Sequence, residues 1–139
     1  IVHIVSWKPW AVRSNALLWI LYVGYAGVGI GLMLAAWAQV GLALPRALPV
    51  HTIAMAGFSV LIICIVNRTA LGHTGRPLVT DRTMRTSYWL MLIAVALRLA
   101  ALANTPATAV LLNLAAATWI ASLALYLWQS IPILIRPRQ

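Results

Sequence analysis

Ala16-Leu17-Leu18-Trp19-Ile20-Leu21-Tyr22-Val23-Gly24-Tyr25-Ala26-Gly27-Val28-Gly29-Ile30-Gly31 opens a run that carries no charged residue through Val40. A helix of that length on a soluble protein would need a polar face toward water. About 20 apolar residues cross a bilayer as helix, so the run reads as a membrane span. Three more windows of the same kind follow, from Pro49 to Val66, Thr86 to Ala103 and Ala107 to Trp128, the third interrupted by Arg98 near one end. The whole chain is 139 residues, 63% hydrophobic and only 8% charged, too apolar to dress a soluble core of this size. The fold class is all-α: a polytopic membrane protein of four transmembrane helices, spanning roughly 16–40, 49–66, 86–103 and 107–128.

The net charge of +9 invites a nucleic-acid reading, which the placement of the charges excludes. They sit at span ends instead of gathering on one face. Lys8 and Arg13 precede the first span, Arg68, Arg76, Arg82 and Arg85 lie between the second and third, and Arg136 and Arg138 follow the fourth. Arg46 alone marks the first loop and no cation marks the third. The positive-inside rule puts both termini and the central loop in the cytoplasm, as an even number of spans requires. Asp81 is the only acidic residue, so the arginines have almost no partners within the chain. Lipid phosphates or cofactor carboxylates are the partners expected for them.

The chain begins at Ile1 and shows no signal-peptide pattern. Ile1-Val2-His3-Ile4-Val5 reads as the tail of another membrane helix, so a C-terminal fragment of something longer is expected. Ser6-Trp7-Lys8-Pro9-Trp10 suits the headgroup zone. Gly24, Gly27 and Gly31 fall at helical spacing on the first span, with Gly27 to Gly31 a GxxxG step that lets helices approach closely. Cys64 stands alone, which rules out an internal disulfide or a thiolate cluster within the chain; its apolar setting reads as a packed thiol.

The chemistry-bearing residues gather between positions 51 and 78. The stretch Asn67-Arg68-Thr69-Ala70-Leu71-Gly72-His73-Thr74-Gly75-Arg76-Pro77-Leu78 reads as a short loop after the second span. It carries one imidazole, two guanidiniums, two glycines and a proline, a set that an ordinary connection does not need. His73 can ligate a metal, and Arg68 and Arg76 can hold carboxylate or phosphate in forked geometry. His51 opens the second span and shares a helical face with Met55, a pair that suits copper or haem axial ligation, although a histidine near an interface is as often a plain amphipathic residue. His51 and His73 are separated by ~33 Å of continuous helix. They therefore belong near opposite membrane faces and cannot share one metal; His3 with His73 is the only in-chain pair that geometry allows. Arg98 inside the third span either snorkels to the interface or pairs with an anionic cofactor group.

One Asp and no Glu leave no carboxylate pair for acid–base catalysis, and no Ser/His/Asp set is visible. Histidines, methionines and arginines in an apolar bundle instead match what a membrane haem or copper protein uses: an axial nitrogen, guanidiniums for propionates, and an environment that excludes water.

The segment from His51 to Leu78 resembles the NnrS family of membrane proteins. The features that carry the resemblance are a histidine opening a helix, an arginine at position 68, and Leu71-Gly72-His73-Thr74-Gly75-Arg76-Pro77-Leu78. Leu18-Trp19-Ile20, Gly24-Tyr25, Gly31-Leu32, Leu97-Arg98 and the closing Pro132-Ile133-Leu134-Ile135-Arg136-Pro137-Arg138 are similar too. Where the family often has methionine just before the arginine of the second span, this chain has Ile65 and Val66. The resemblance implies a haem- and copper-containing protein of the bacterial cytoplasmic (inner) membrane, linked to the nitric oxide response and nitrosative stress in denitrifying and related bacteria. It implies about twelve spans in all, so that the partners of this chain would be membrane lipid, nitric oxide and the remaining N-terminal helices. His51 and His73 carry over as metal-ligand candidates, and Arg68, Arg76 and Arg98 as cofactor anchors. Two rival readings remain: a membrane reductase of nitrogen oxides, and a structural or transport bundle whose loop only grips lipid phosphate.

Overall fold

The computed structural model describes residues 15–41 and 44–135. The readings placed on His3, the Ser6–Trp10 segment, Lys8, Arg13, Arg136 and Arg138 lie outside the described residues. Within them, four helices are long and apolar enough to cross a membrane. We number them α1 (Ala16–Gln39), α2 (Ala47–His73), α3 (Arg82–Ala103, its last turn 3₁₀) and α4 (Thr108–Ile135). The described residues contain no strand.

Each helix begins where local chemistry permits. Asn15 caps α1, its side-chain oxygen accepting from the Leu17 N–H at 3.1 Å. Pro49 sits in the first turn of α2, where a missing N–H leaves no helical bond unmade. Asp81 caps α3, accepting from the Met84 N–H at 2.8 Å. The turn into α4 follows Asn104, which takes left-handed backbone (φ 51) after the 3₁₀ turn.

Three of the helices outrun the windows expected from sequence. Helix α2 continues past Val66 to His73, so Asn67 to His73 are helical and only Thr74 to Asp81 form the connection. Helix α3 starts at Arg82 instead of residue 86, and α4 runs on through Pro132 to Ile135. The physical reason is common to all three. Arginines and polar residues are tolerated on helix in the headgroup zone, and the backbone has no reason to unwind there. Pro132 removes one helical N–H donor without ending α4.

A further departure lies inside α2. Residues Thr52–Ser59 form a wide π-helical segment between the α-helical pieces Ala47–His51 and Val60–His73. The Ser59 hydroxyl follows the wider pitch, donating to the Ala54 carbonyl five residues back at 3.1 Å. This segment is what α1 packs against. A Cβ on Gly27 would collide with the Ala56 carbonyl, one on Gly31 with Ile53, and one on Gly24 would sit 2.7 Å from Leu61 Cγ. In return, a Cβ on Gly57 would come within 2.7 Å of Val28 Cγ2. The glycine stripe expected to pack helices does so, against the π segment and the first turn beyond it.

Helices α3 and α4 pack together along an extensive interface, as α1 and α2 do. At its centre Ser87 and Ser122 bond reciprocally. Ser87 Oγ donates to the Ser122 carbonyl at 2.9 Å and Ser122 Oγ to the Ser87 carbonyl at 2.7 Å, with both residues buried. The main core joins Leu17, Ile20, Val60, Ile63, Cys64, Tyr88, Met91 and Ile133. Cys64 is packed as expected, its Sγ 3.3 Å from the Leu17 carbonyl. The start of α1, the α2–α3 connection and the end of α4 thus share one end of the bundle, here termed the loop end. Large apolar side chains such as Ile30, Leu32, Phe58, Ile62, Ile120 and Trp128 point outward, the inverse of a soluble surface and the pattern of a bundle solvated by apolar groups.

Candidate functional site

The conspicuous Leu71–Leu78 motif is in large part a helix terminator. Gly75 takes φ 72, and the chain closes a Schellman motif around it: Gly75 N–H bonds the Gly72 carbonyl at 3.3 Å and Arg76 N–H the Leu71 carbonyl at 3.0 Å. The Thr74 hydroxyl donates to the Ala70 carbonyl at 2.7 Å, and Pro77 prevents the helix from resuming. Thr74, Gly75 and Pro77 are therefore explained by the turn itself. What remains for chemistry is His73, Arg68 and Arg76.

His73 is the last residue of α2 and is exposed. It borders a groove of about 270 Å³ between α2 and α4, walled by Val66, Thr69, Ala70, Tyr126 and Leu134. The groove shares Val66 and Tyr126 with a deeper apolar cavity of about 210 Å³, lined also by Ile62, Ile63, Met91 and Leu123. Arg68 sits half-buried on α2. Arg76 lines a different pocket at the loop end, about 380 Å³, with Leu71, Asp81, Met84, Gln129 and Ile133. Its Nε is buried without a hydrogen-bond partner. Asp81 does not relieve it through hydrogen bonding: one carboxylate oxygen caps α3 and the other accepts from Gln129 Nε2 at 2.7 Å.

The opposite end of the bundle holds the second group. Arg98 Nη2 lies 3.0 Å from His51 Nε2. Arginine only donates, so the imidazole accepts at Nε2 and its proton resides on Nδ1. The sequence offered two fates for Arg98, and neither anticipated a histidine partner from α2. His51 immediately precedes the π segment, and such segments concentrate at functional positions. One face of Arg98 also borders a cleft of about 460 Å³ with Met55, Leu112, Ala115, Ala116 and Trp119. Trp119 is shared with the apolar cavity that leads toward His73.

The two histidines thus occupy the two ends of one continuous helix, as the spacing required, and cannot share a ligand. Among the described residues, no three histidine, cysteine or acidic side chains come together as a metal cluster. Sequence reading missed Asn67 and Tyr88, both wholly buried; the Asn67 amide donates to the Ile63 carbonyl at 2.8 Å. The available signal was an amide and a phenol within apolar helix, where a polar group must be satisfied or functional.

No curated protein and no solved structure matches the chain. The family model described as NnrS protein matches residues 1–138, a span that takes in His73, the Arg98–His51 pair and the capped turn, and the chain belongs to the NnrS family.

Proposed function

We propose that this chain is a membrane component of the bacterial nitric oxide response that lodges haem in the groove between α2 and α4, with His73 as axial ligand. Family membership supports the nitric oxide connection. The observation that carries the haem reading is His73 itself. Its imidazole ends a rigid helix, makes no hydrogen bond to any described residue, and stands at the mouth of a groove walled by Val66, Ala70, Tyr126 and Leu134. An imidazole beside an apolar slot is the kind of donor that would hold a haem, and bound there the haem would supply the nitric oxide affinity. The chain's own contributions are separable. The Schellman turn fixes where α2 stops and so where the ring points. The apolar walls exclude water, and Arg68 and Arg76, which lie at the same end but outside the groove's own lining, are the guanidiniums that would have to reach the propionates.

Copper does not fit equally well. His51 and Met55 are the only such donors four residues apart on α2, and Nε2 of His51 is held by Arg98. A copper ion on His51 would have to use Nδ1 or displace a cation.

The arginines at the loop end support a cytoplasmic position for it, and hence for both chain termini, in the bacterial inner membrane. The test is the visible spectrum of the protein purified from haem-supplemented cells. A Soret band is expected, kept in His51→Ala and lost in His73→Ala. A His73→Ala protein with unchanged Soret intensity and unchanged nitric oxide tolerance in cells would sink the assignment.

A further inference from the structure

We propose that the cleft at the other end, below the Arg98–His51 pair, is a binding site for an isoprenoid quinone. This inference goes beyond the haem reading and requires neither haem nor nitric oxide. Arg98 sits within a membrane span, where a guanidinium is costly and marks a function by default. Its partner is a neutral imidazole at 3.0 Å. The chain's only acid, Asp81, caps the far end of the same helix, about 25 Å away at 1.5 Å per residue. Among the described residues the pair therefore presents donors without a further acceptor: guanidinium N–H groups, and the Nδ1–H that the Arg98 contact imposes on His51. A quinone carbonyl is a neutral acceptor of the kind that such a pair lacks.

The cleft beneath has a shape to match. Met55 and Trp119 supply a polarisable sulfur and a flat indole against which a ring can lie. Ala115 and Ala116 keep the α4 wall low, so that a ring is not excluded by side chains. Trp119 also borders the apolar cavity of Ile62, Ile63, Val66 and Leu123, whose lining hydroxyls are Tyr126 and Ser59, the latter donating to the Ala54 carbonyl. A quinone head held in the cleft would place its isoprenoid tail past Trp119, against this cavity. An anionic phospholipid is the rival occupant, because Arg98 lies in the last α-helical turn of α3 and so near one membrane face; the apolar cleft beside the pair favours the quinone, whose ring needs such a surface.

The test uses the full chain in phosphatidylcholine nanodiscs, titrated with decyl-ubiquinone and read by calorimetry. Saturable binding of one quinone per chain is expected. Arg98→Gln removes the charged donor and should weaken it about tenfold, the loss of one good hydrogen bond. Ala116→Phe leaves every polar group in place but fills the cleft, and should abolish binding while circular dichroism stays unchanged. Uptake that rises linearly with quinone and ignores Ala116→Phe would mean simple partitioning into lipid and overturn the proposal. So would competitive displacement of decyl-ubiquinone by phosphatidylglycerol, which would identify an anionic-lipid site. Because no haem is read, failure here leaves the His73 assignment standing, and the converse holds.

Discussion

Replacing Ser87 or Ser122 by alanine tests how α3 and α4 are held together in an apolar solvent. Each hydroxyl donates to the other residue's backbone carbonyl, at 2.9 Å and 2.7 Å, while the two oxygens lie 3.3 Å apart. Interhelical hydrogen bonds in membranes contribute about 0.6 kcal/mol on average and about 1.7 at most. Ser87→Ala removes one donated bond but leaves its own carbonyl, and so leaves the bond from Ser122. The carbonyl freed on Ser122 keeps its helical partner, so no buried group is orphaned. Each single substitution should therefore cost about 0.6 kcal/mol, with an upper bound near 1.7. The double variant should cost nearly the sum, even though the residues touch, with a coupling under ~0.5 kcal/mol. The measurement is a double-mutant cycle on unfolding in mixed micelles of dodecyl maltoside and SDS. A coupling above about 1 kcal/mol would refute the reasoning, because it would mean that the hydroxyl–hydroxyl contact, and not the two carbonyl bonds, carries the interaction.

Glycines on α1 should divide sharply by position. A methyl at Gly27 meets the Ala56 carbonyl, which is backbone and cannot rotate away, so Gly27→Ala should cost about 1–3 kcal/mol by the same unfolding assay. Gly29 has nothing within 4 Å of its would-be Cβ, so Gly29→Ala should be neutral or stabilising by up to about 1 kcal/mol; equal losses at both positions would contradict the packing described. Gly75→Ala forces a methyl-bearing residue to φ 72 and should lower stability by about 1–2 kcal/mol, with Gly75→Asn milder. If the turn shifts in Gly75→Ala, haem content in the spectral assay should fall with it, since His73 is two residues away.

The membrane class and the helix count were legible because uncharged apolar windows of spanning length suit little besides a bilayer. The boundaries were less so. Charge was read as the end of helix, yet Arg68, Arg82 and Arg85 all lie on helix, since a guanidinium at the headgroup level does not disturb backbone bonds. The π segment had no visible signature. It is built from Thr52 to Ser59, residues equally at home in an α-helix, and it lies where Gly27 and Val28 of α1 come close to Ala56 and Gly57.

The site shows the same division between composition and register. The Leu71–Leu78 motif drew attention as an excess of special residues, and the structure assigns three of them to a turn. A left-handed glycine, a back-bonding threonine and a helix-stopping proline look like a ligand loop in sequence because both tasks draw on the same residues. His73 survives that subtraction, and the weight of the functional reading falls on it. Arg98 and His51 were each singled out, yet not as a pair, because 47 positions separate them and only the packing of α3 on α2 brings Nη2 to Nε2. Once paired, they change each other's chemistry. The guanidinium fixes the imidazole tautomer and hinders a metal at Nε2, and the imidazole leaves the guanidinium without a counter-charge. One helix thus carries at one end an imidazole with no hydrogen bond to a described residue and at the other a guanidinium-bound imidazole, and two such unlike environments suit two unlike ligands better than two copies of one.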